Sequence, residues 1–309
     1  MKRLGWLGAA QSWYFQDMQR AAGLPCWPDP IMLEPVAFDK LAVAYRGGIN
    51  SDVYLKDTVV GDHRGCSLDA MMVRTMPIGS LEQTIFRMNA LHVAMASGIR
   101  IVNPPRSLEI AIDKWLTLET VRRVGLPIPR TICCQTRDQA MQAWEELGRD
   151  CVVKPIFGGE GRGILRVTDP DMAWRVFSTL DQLRAVAYCQ EFIEGGGFDL
   201  RLLVIGDAIF CVRREGNGDW RTNISRGGNA IPFEPSFEQL SMAFKACRAV
   251  GAWMAGVDMM TDHCGRDLII EVNAVPGWKG TAEALGIDIA RVILSKLFFD
   301  PHSEPLKSS

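Results

Sequence analysis

The run LIIEVNAVPGWKG, Leu268 to Gly280, begins as a buried strand and then breaks its own pattern. Leu268, Ile269 and Ile270 are apolar; Glu271 and Asn273 follow, separated by Val272, and a Pro-Gly turn comes next. A carboxylate in an apolar strand is costly unless something pairs with it. Upstream, AGVDMM (Ala255 to Met260) is a second apolar stretch with one acid, Asp258, and the polar TDHCGRD joins the two. This reads as a β-hairpin with a longer loop. With its centre near Cys264 and Gly265, Asp258 stands across from Glu271. Glu271 and Asn273 are two apart and share a face. Opposed carboxylates repel, and a hard divalent cation removes the repulsion. Two acids and an amide suit Mg²⁺, completed by waters and phosphate oxygens. On the hairpin alone, an ion pair of one acid with Arg266 or Lys279 is an equal alternative.

A chain of 309 residues is long enough for about two domains. Its net charge of -2 leaves no electrostatic footprint for nucleic acid. No apolar run spans a bilayer, so no membrane partner is expected. The start, MKRLGWLGAAQSWYFQDMQR, reads as a first strand and helix rather than a signal peptide. The nine cysteines are scattered and contain no Cys-x-x-Cys, which fits reduced, buried thiols in a cytoplasmic protein. The four histidines do not cluster with them, which argues against zinc.

KLAVAYRG and DAMMVRTMP read as strands, each ending in an arginine, Arg46 and Arg74. GSLEQTIFRMNALHVAMASG follows as a helix: Ser80 and Gln83 fit a capping box, and Leu81, Ile85, Met88 and Leu91 recur on one face. IRIVNPP is the next strand. This β-α-β order predicts a small α/β domain with a mostly parallel sheet over residues 1–105. SLEIAIDKWLTLETVRRVG reads as one helix ended by Gly125. Strands at LPIPRTICC and CVVKPIF, with a helix between them, open an α+β module over 106–188. The third region, 189–309, carries a hairpin turning at Gly206-Asp207, a helix near Phe237 to Val250, and the Asp258/Glu271 hairpin.

Three further segments can handle phosphate. Lys154 ends an apolar strand just before GGEGRG, whose Gly158, Gly159, Gly161 and Gly163 let backbone N–H groups close over oxygens. It is not a Walker motif, and alone the signal is weak. Glu191 and Phe192 sit where the backbone can meet an adenine edge, and Asp199 and Arg201 share a face. A surface ion pair explains the latter two equally well. In WRTNISRGG, Arg221, Asn223 and Arg226 can bind phosphate or carboxylate in bidentate fashion, or can simply be a solvated loop.

The ordered set is distinctive: DK at Lys114, VVKP at Lys154, GGEGRG, QEFI at Glu191, DLR at Asp199, RTNISRGG, GVD at Asp258 and EVNAVPG. Over roughly Ile101 to Leu294 it resembles the ATP-grasp superfamily, and within it the RimK-like α-L-glutamate ligases. RTMPIGSLEQTIFRMNALHVAMASGI is similar to the first domain of members that add glutamate to tetrahydromethanopterin or the deazaflavin coenzyme. The resemblance implies an ATP-grasp fold and a carboxylate–amine ligase that works through an acyl phosphate. It implies ATP and Mg²⁺, or Mn²⁺ in its place, and a homo-oligomer. L-Glutamate would be joined to a small carboxylate acceptor, a tetrahydromethanopterin-type pterin first. A ribosomal-protein tail or another amino-acid carrier is the runner-up, and a non-catalytic nucleotide-binding protein a third reading.

By the same resemblance Lys114 and Lys154 would contact ATP, Glu191 and Phe192 the adenine and hinge, and Asp199 the ribose. Arg221, Thr222 and Asn223 would line the phosphate and substrate side. Arg201, Arg221 and Lys154 would stabilise the moving phosphoryl group, and Asp258, Glu271 and Asn273 would hold the metal. Arg46 and Arg74 are candidates for the acceptor's carboxylates, with ordinary surface arginine as the alternative. Glu160, Arg162 and the bulky Trp278 depart from the family pattern, and Pro276 to Lys279 are expected to face the acceptor.

Overall fold

The computed structural model describes residues 1–45, 51–55, 58–60, 68–158, 162–216 and 228–300. The N-terminal part runs β1 (Lys2–Leu7), α1 (Trp13–Ala22), β2 (Ile31–Val36), β3 (Leu41–Tyr45), β4 (Ser51–Leu55), β5 (Thr58–Val60), β6 (Ala70–Val73), α2 (Leu81–Ala96) and β7 (Arg100–Val102). Strands β2-β1-β6-β7 form a parallel sheet in that order. The expected parallel sheet is therefore present, but KLAVAYRG is not in it. That strand is β3, in a separate antiparallel sheet β3-β4-β5 inserted between β2 and β6.

The α2 capping box forms: Gln83 N–H donates to Ser80 Oγ and Ser80 N–H to Gln83 Oε1, each at 3.2 Å. Its buried face differs from the predicted one. Leu81 and Ile85 are exposed, whereas Arg87, Ala90, Leu91 and Ala94 are buried. Small residues let the helix approach closely, and Arg87 is tolerated because it donates to Pro77 O at 2.8 Å.

The rest runs α3 (Pro105–Ile112), α4 (Lys114–Arg123), β8 (Thr131–Cys134), α5 (Arg137–Glu146), β9 (Cys151–Lys154), β10 (Leu165–Val167), α6 (Pro170–Gln182), β11 (Ala187–Glu191), β12 (Phe198–Ile205), β13 (Ala208–Glu215), β14 (Asn229–Pro232), α7 (Phe237–Ala249), β15 (Met254–Thr261), β16 (Asp267–Asn273), α8 (Lys279–Leu285) and α9 (Ile289–Phe298). The single helix expected after Pro105 is broken at Asp113. That residue is extended (φ -95°, ψ 107°) and its carboxylate caps α4 by accepting from Leu116 N–H at 2.9 Å. The break places Lys114 in the first turn of a new helix.

Two antiparallel sheets follow, β10-β9-β11-β8 and β14-β13-β12-β15-β16. The first has its own core of Trp144, Phe177, Val153 and Cys189 beneath α5 and α6. The second shares its cores with the N-terminal part. Leu4, Trp6 and Met18 pack with Leu203, Trp253, Trp278 and Ile293, and Leu91 and Ile101 lie in the same cluster as Leu202, Val257 and Ile269. Residues 131–191 are thus the separately packed unit, while the first and last thirds are fused.

The β15–β16 hairpin carries a bulge. Met259 pairs with Ile269, but Asp258 pairs with Glu271, so Ile270 is an extra residue. Regular alternation would set Glu271 on the face of Ile269, which is fully buried in the core. The bulge turns it to the face of Asp258 instead and lets Val272 oppose Val257 inside.

Among the described residues no helix is long and apolar enough to cross a membrane. All eight described cysteines are free thiols. Cys134, Cys151, Cys189, Cys211 and Cys247 are buried as expected, whereas Cys26 and Cys264 are exposed. Burial pushes the Cys133, Cys211 and Cys247 thiols up to about 12, away from thiolate chemistry.

Candidate active site

Asp199, Arg201, Arg214 and Asp258 form one chain of charges across β13, β12 and β15. Strand register puts Arg214 beside Asp199 and Arg201 beside Asp258. Arg214 donates to Asp199 from Nε (2.7 Å) and Nη2 (2.5 Å), and its Nη2 lies 3.0 Å from Asp258 Oδ2. Arg201 holds Asp258 through both Nε and Nη2, the latter at 2.7 Å. Burial alone would push the Asp258 carboxyl up. The guanidinium groups of Arg201 and Arg214 outweigh it and hold the carboxyl below its ordinary range. The equal alternative in the sequence, pairing with Arg266 or Lys279, does not occur: Arg266 pairs with Asp262 and Lys279 with Glu283.

Glu271 and Asn273 stand beside this chain on β16. The Glu271 carboxylate is half-buried, with Lys114 Nζ 4.0 Å away. Asn273 Oδ1 accepts from Val275 N–H at 2.8 Å, which turns the amide oxygen toward the exit of the strand. Lys154 Nζ donates to Gln190 Oε1 at 2.6 Å. Burial lowers the Lys154 ammonium to about 8, against the pull of Glu271 and Asp258.

These residues fit a hard divalent cation. Every donor is oxygen, Asn273 Oδ1 keeps a second lone pair, and a carboxylate has about four acceptor positions, not all of which the arginines use at Asp258. Among the described residues no three acidic, His or Cys side chains make a metal site unaided. Phosphate oxygens and water would complete the shell, as is usual for magnesium.

At the hinge the expected nucleotide-binding residues also have partners within the chain. Glu191 Oε1 accepts from Arg130 N–H at 2.7 Å, and the Phe192 ring lies 3.4 Å below the Arg166 guanidinium. Asp199 is 8% exposed, next to Arg214 rather than at a surface. On the lid side, Lys114 Nζ donates to Gly158 O. Gly158 and Gly163 have φ of 121° and 71°, which only glycine adopts readily. Gly159, Glu160, Gly161, Arg221, Thr222, Asn223, Arg226 and Arg46 lie outside the described residues.

Arg74 is not an ordinary surface arginine. Its guanidinium is caged by Trp278, Tyr14 and Trp6, 4.8, 5.1 and 6.0 Å from the ring centroids, and it donates to Pro276 O at 2.8 Å. Burial lowers it to about 10. Trp278, expected to face the acceptor, is fully buried, and its indole N–H donates to Asp17 at 2.9 Å. Both tie the Pro-Gly turn to the N-terminal part.

Two important residues escape the sequence reading. Arg214 was findable, because a turn at Gly206-Asp207 forces it opposite Asp199. Asn103 was not, because its partners are backbone groups about 150 residues away.

Residues 111–297 match the RimK-like ATP-grasp domain. The tetrahydromethanopterin:alpha-L-glutamate ligase of Methanosarcina acetivorans is 34% identical over 259 residues, covering 74% of this chain and 80% of that protein. The alpha-aminoadipate–LysW ligase LysX of Sulfolobus acidocaldarius is 30% identical, covering 64% of this chain and 73% of its own. Among solved structures, the ATP-grasp ligase PsnB complexed with minimal precursor, Mg and ADP superposes with a TM-score of 0.73 at 19% identity over 97% of each chain. That identity establishes the fold alone.

Proposed function

The chain belongs to the RimK-like ATP-grasp family of ligases, and from that premise we propose that it joins L-glutamate to a carboxylate acceptor through an acyl phosphate. The carrying observation is the set of cationic and acidic groups at one strand edge: Lys154 and Lys114 face Glu271, with Asn273, Asp258 and Arg201 beside it. An acceptor carboxylate oxygen attacks the γ-phosphorus of ATP, and ADP leaves. The glutamate amine then attacks the acyl carbon, loses a proton, and phosphate departs. No Ser or Cys nucleophile is required.

Lys154 and Lys114 bind phosphate oxygens, and the buried environment of Lys154 strengthens that attraction. Asp258, Glu271 and Asn273 are the magnesium ligands in this reading, and Arg201 and Arg214 fix the Asp258 carboxylate. The bound cation supplies charge neutralisation on the phosphates. The Gly158 to Gly163 loop excludes water that would hydrolyse the acyl phosphate.

A tetrahydromethanopterin-type pterin is the acceptor we favour. The similarity to the Methanosarcina enzyme spans more of the chain than residues 111–297, so it reaches into the N-terminal part. An amino-acid carrier protein is the second reading, favoured by the similarity to LysX. ADP release is measured with Mg²⁺, L-glutamate and either acceptor, with hydroxylamine trapping of the acyl phosphate. Glutamate-dependent ADP release and a trapped hydroxamate are expected with the pterin. ATP binding without ADP release for any acceptor would overturn the ligase reading. Glu271→Gln should abolish magnesium-dependent turnover with little change in unfolding, and unaltered turnover would refute its metal role.

A further inference from the structure

We propose that Asn103 is a positioning residue for the metal end of the site, acting through the peptide that follows Asn273. The inference rests on the reading of Asn273 as a magnesium ligand.

Asn103 follows β7 and is 2% exposed. Its Nδ2 donates to Met254 O at 2.6 Å and Ala274 O at 2.5 Å. Its Oδ1 accepts from Trp253 N–H at 2.8 Å and Met254 N–H at 2.9 Å. A primary amide offers two donors and two acceptor lone pairs, and all four are used. A saturated buried amide has a single orientation, so it fixes its partners as firmly as they fix it. Those partners are the entry of β15 and the exit of β16, the two strands that carry Asp258, Glu271 and Asn273.

The neighbouring strand end adds to this hold. Arg74, just past β6, donates to Pro276 O. Two strand ends of the parallel sheet therefore grip the carbonyls of residues 274 and 276. The peptide between them contains Val275 N–H, the group that orients Asn273 Oδ1. Tyr14 blocks the far side: a Cβ on Gly277 would stand 2.3 Å from its hydroxyl. Magnesium accepts little deviation from octahedral geometry, so displacement of Ala274 reaches the ligand oxygen one residue away. A leucine at position 103 would fill the space and still leave four backbone groups without their partner.

Asn103→Asp tests this. It preserves shape and the acceptor for Trp253 and Met254, but the ionised form cannot donate to Ala274 O. Protonation, favoured by burial, returns one donor. Mn²⁺ affinity in the presence of ADP is read by electron paramagnetic resonance from pH 6 to 9, beside the Mg²⁺ half-saturation of ADP release and the thermal unfolding curve. Asn103→Asp should weaken Mn²⁺ binding about tenfold or more at the alkaline end, as outer-shell substitutions do, and recover toward wild type as pH falls. Asn103→Ser, the second variant should Asn103→Asp not fold, should show the weakening without the recovery. A lowered unfolding temperature with unchanged Mn²⁺ affinity would reduce Asn103 to a structural role and overturn the proposal. If Glu271→Gln also leaves Mn²⁺ binding intact, the metal reading itself fails. If only the Asn103 variants leave it intact, the positioning role alone fails.

Discussion

Arg214→Met isolates the buried charge chain. Arg214 satisfies Asp199 with two hydrogen bonds and reaches Asp258, while Arg201 keeps its own hold on Asp258. The substitution leaves Asp258 one guanidinium and takes the bidentate partner from Asp199. Removing one member of a buried ion pair costs about 3–5 kcal/mol, and the lower end applies because Asp258 remains paired. At roughly 2 °C per kcal/mol for a chain of this size, the midpoint of thermal unfolding should fall by about 6 °C. The acid limb should move too. Asp258 is held below its ordinary range, so it stabilises the fold above its unfolded value, and that contribution is lost as pH falls through the folded value. Removing Arg214 raises the folded value, and acid unfolding begins at higher pH. The double variant Asp199→Leu/Arg214→Met removes both charges and should recover about 2 kcal/mol of the loss, because an apolar pair of similar volume substitutes well for a buried ion pair. Scanning calorimetry on both single variants and the double closes the cycle. A fall under about 1 °C for Arg214→Met, or a double variant whose loss equals the sum of the singles, would refute the reasoning.

Lys154 titrates within reach of ordinary buffers. Its folded value of about 8 lies below the 10.5 of a free lysine, so the unfolded chain holds the extra proton between them and stability rises with pH across that window. Nucleotide affinity runs the other way: ATP binding should weaken up to tenfold per pH unit above about 8, and Lys154→Arg should flatten that dependence in calorimetric titrations. Gly277→Ala must displace Tyr14, whose hydroxyl would be 2.3 Å from the new carbon. Overpacking of this kind costs about 1–3 kcal/mol, and Tyr14→Phe on the same background should return part of it in a chemical denaturation series.

Much of the site was legible because hairpin register is arithmetic. A loop centred near Cys264 and Gly265 sets Asp258 against Glu271, and the structure has that pair. The ordered motifs carried the family and fold. What was hidden depends on contacts distant in sequence. The N-cap at Asp113 lies inside an unbroken helical pattern, and only the fold reveals that Lys114 starts a new helix. Arg74 and Trp278 look like surface candidates until the fused core encloses them. Leu81 and Ile85 keep helical spacing, yet the sheet packs on the smaller residues of α2, and periodicity does not say which of two apolar faces is inward.

The extra residue in β16 also makes the hairpin unequal in its tolerance of insertions and deletions. The Asp262 to Arg266 loop is polar, and length changes there act at the far end of the ladder from Asp258. Loss of Ile270 removes the extra residue and leaves Asp258 opposite Glu271 and Val257 opposite Val272, because Ile270 is the position the ladder skips. Loss of Val272 acts differently. It would set Asn273 opposite Val257, so a polar amide would enter the apolar core and leave the polar face in one genetic event. No single side-chain replacement reverses a frame change of that kind, so this strand tolerates shortening at position 270 and not two residues further on.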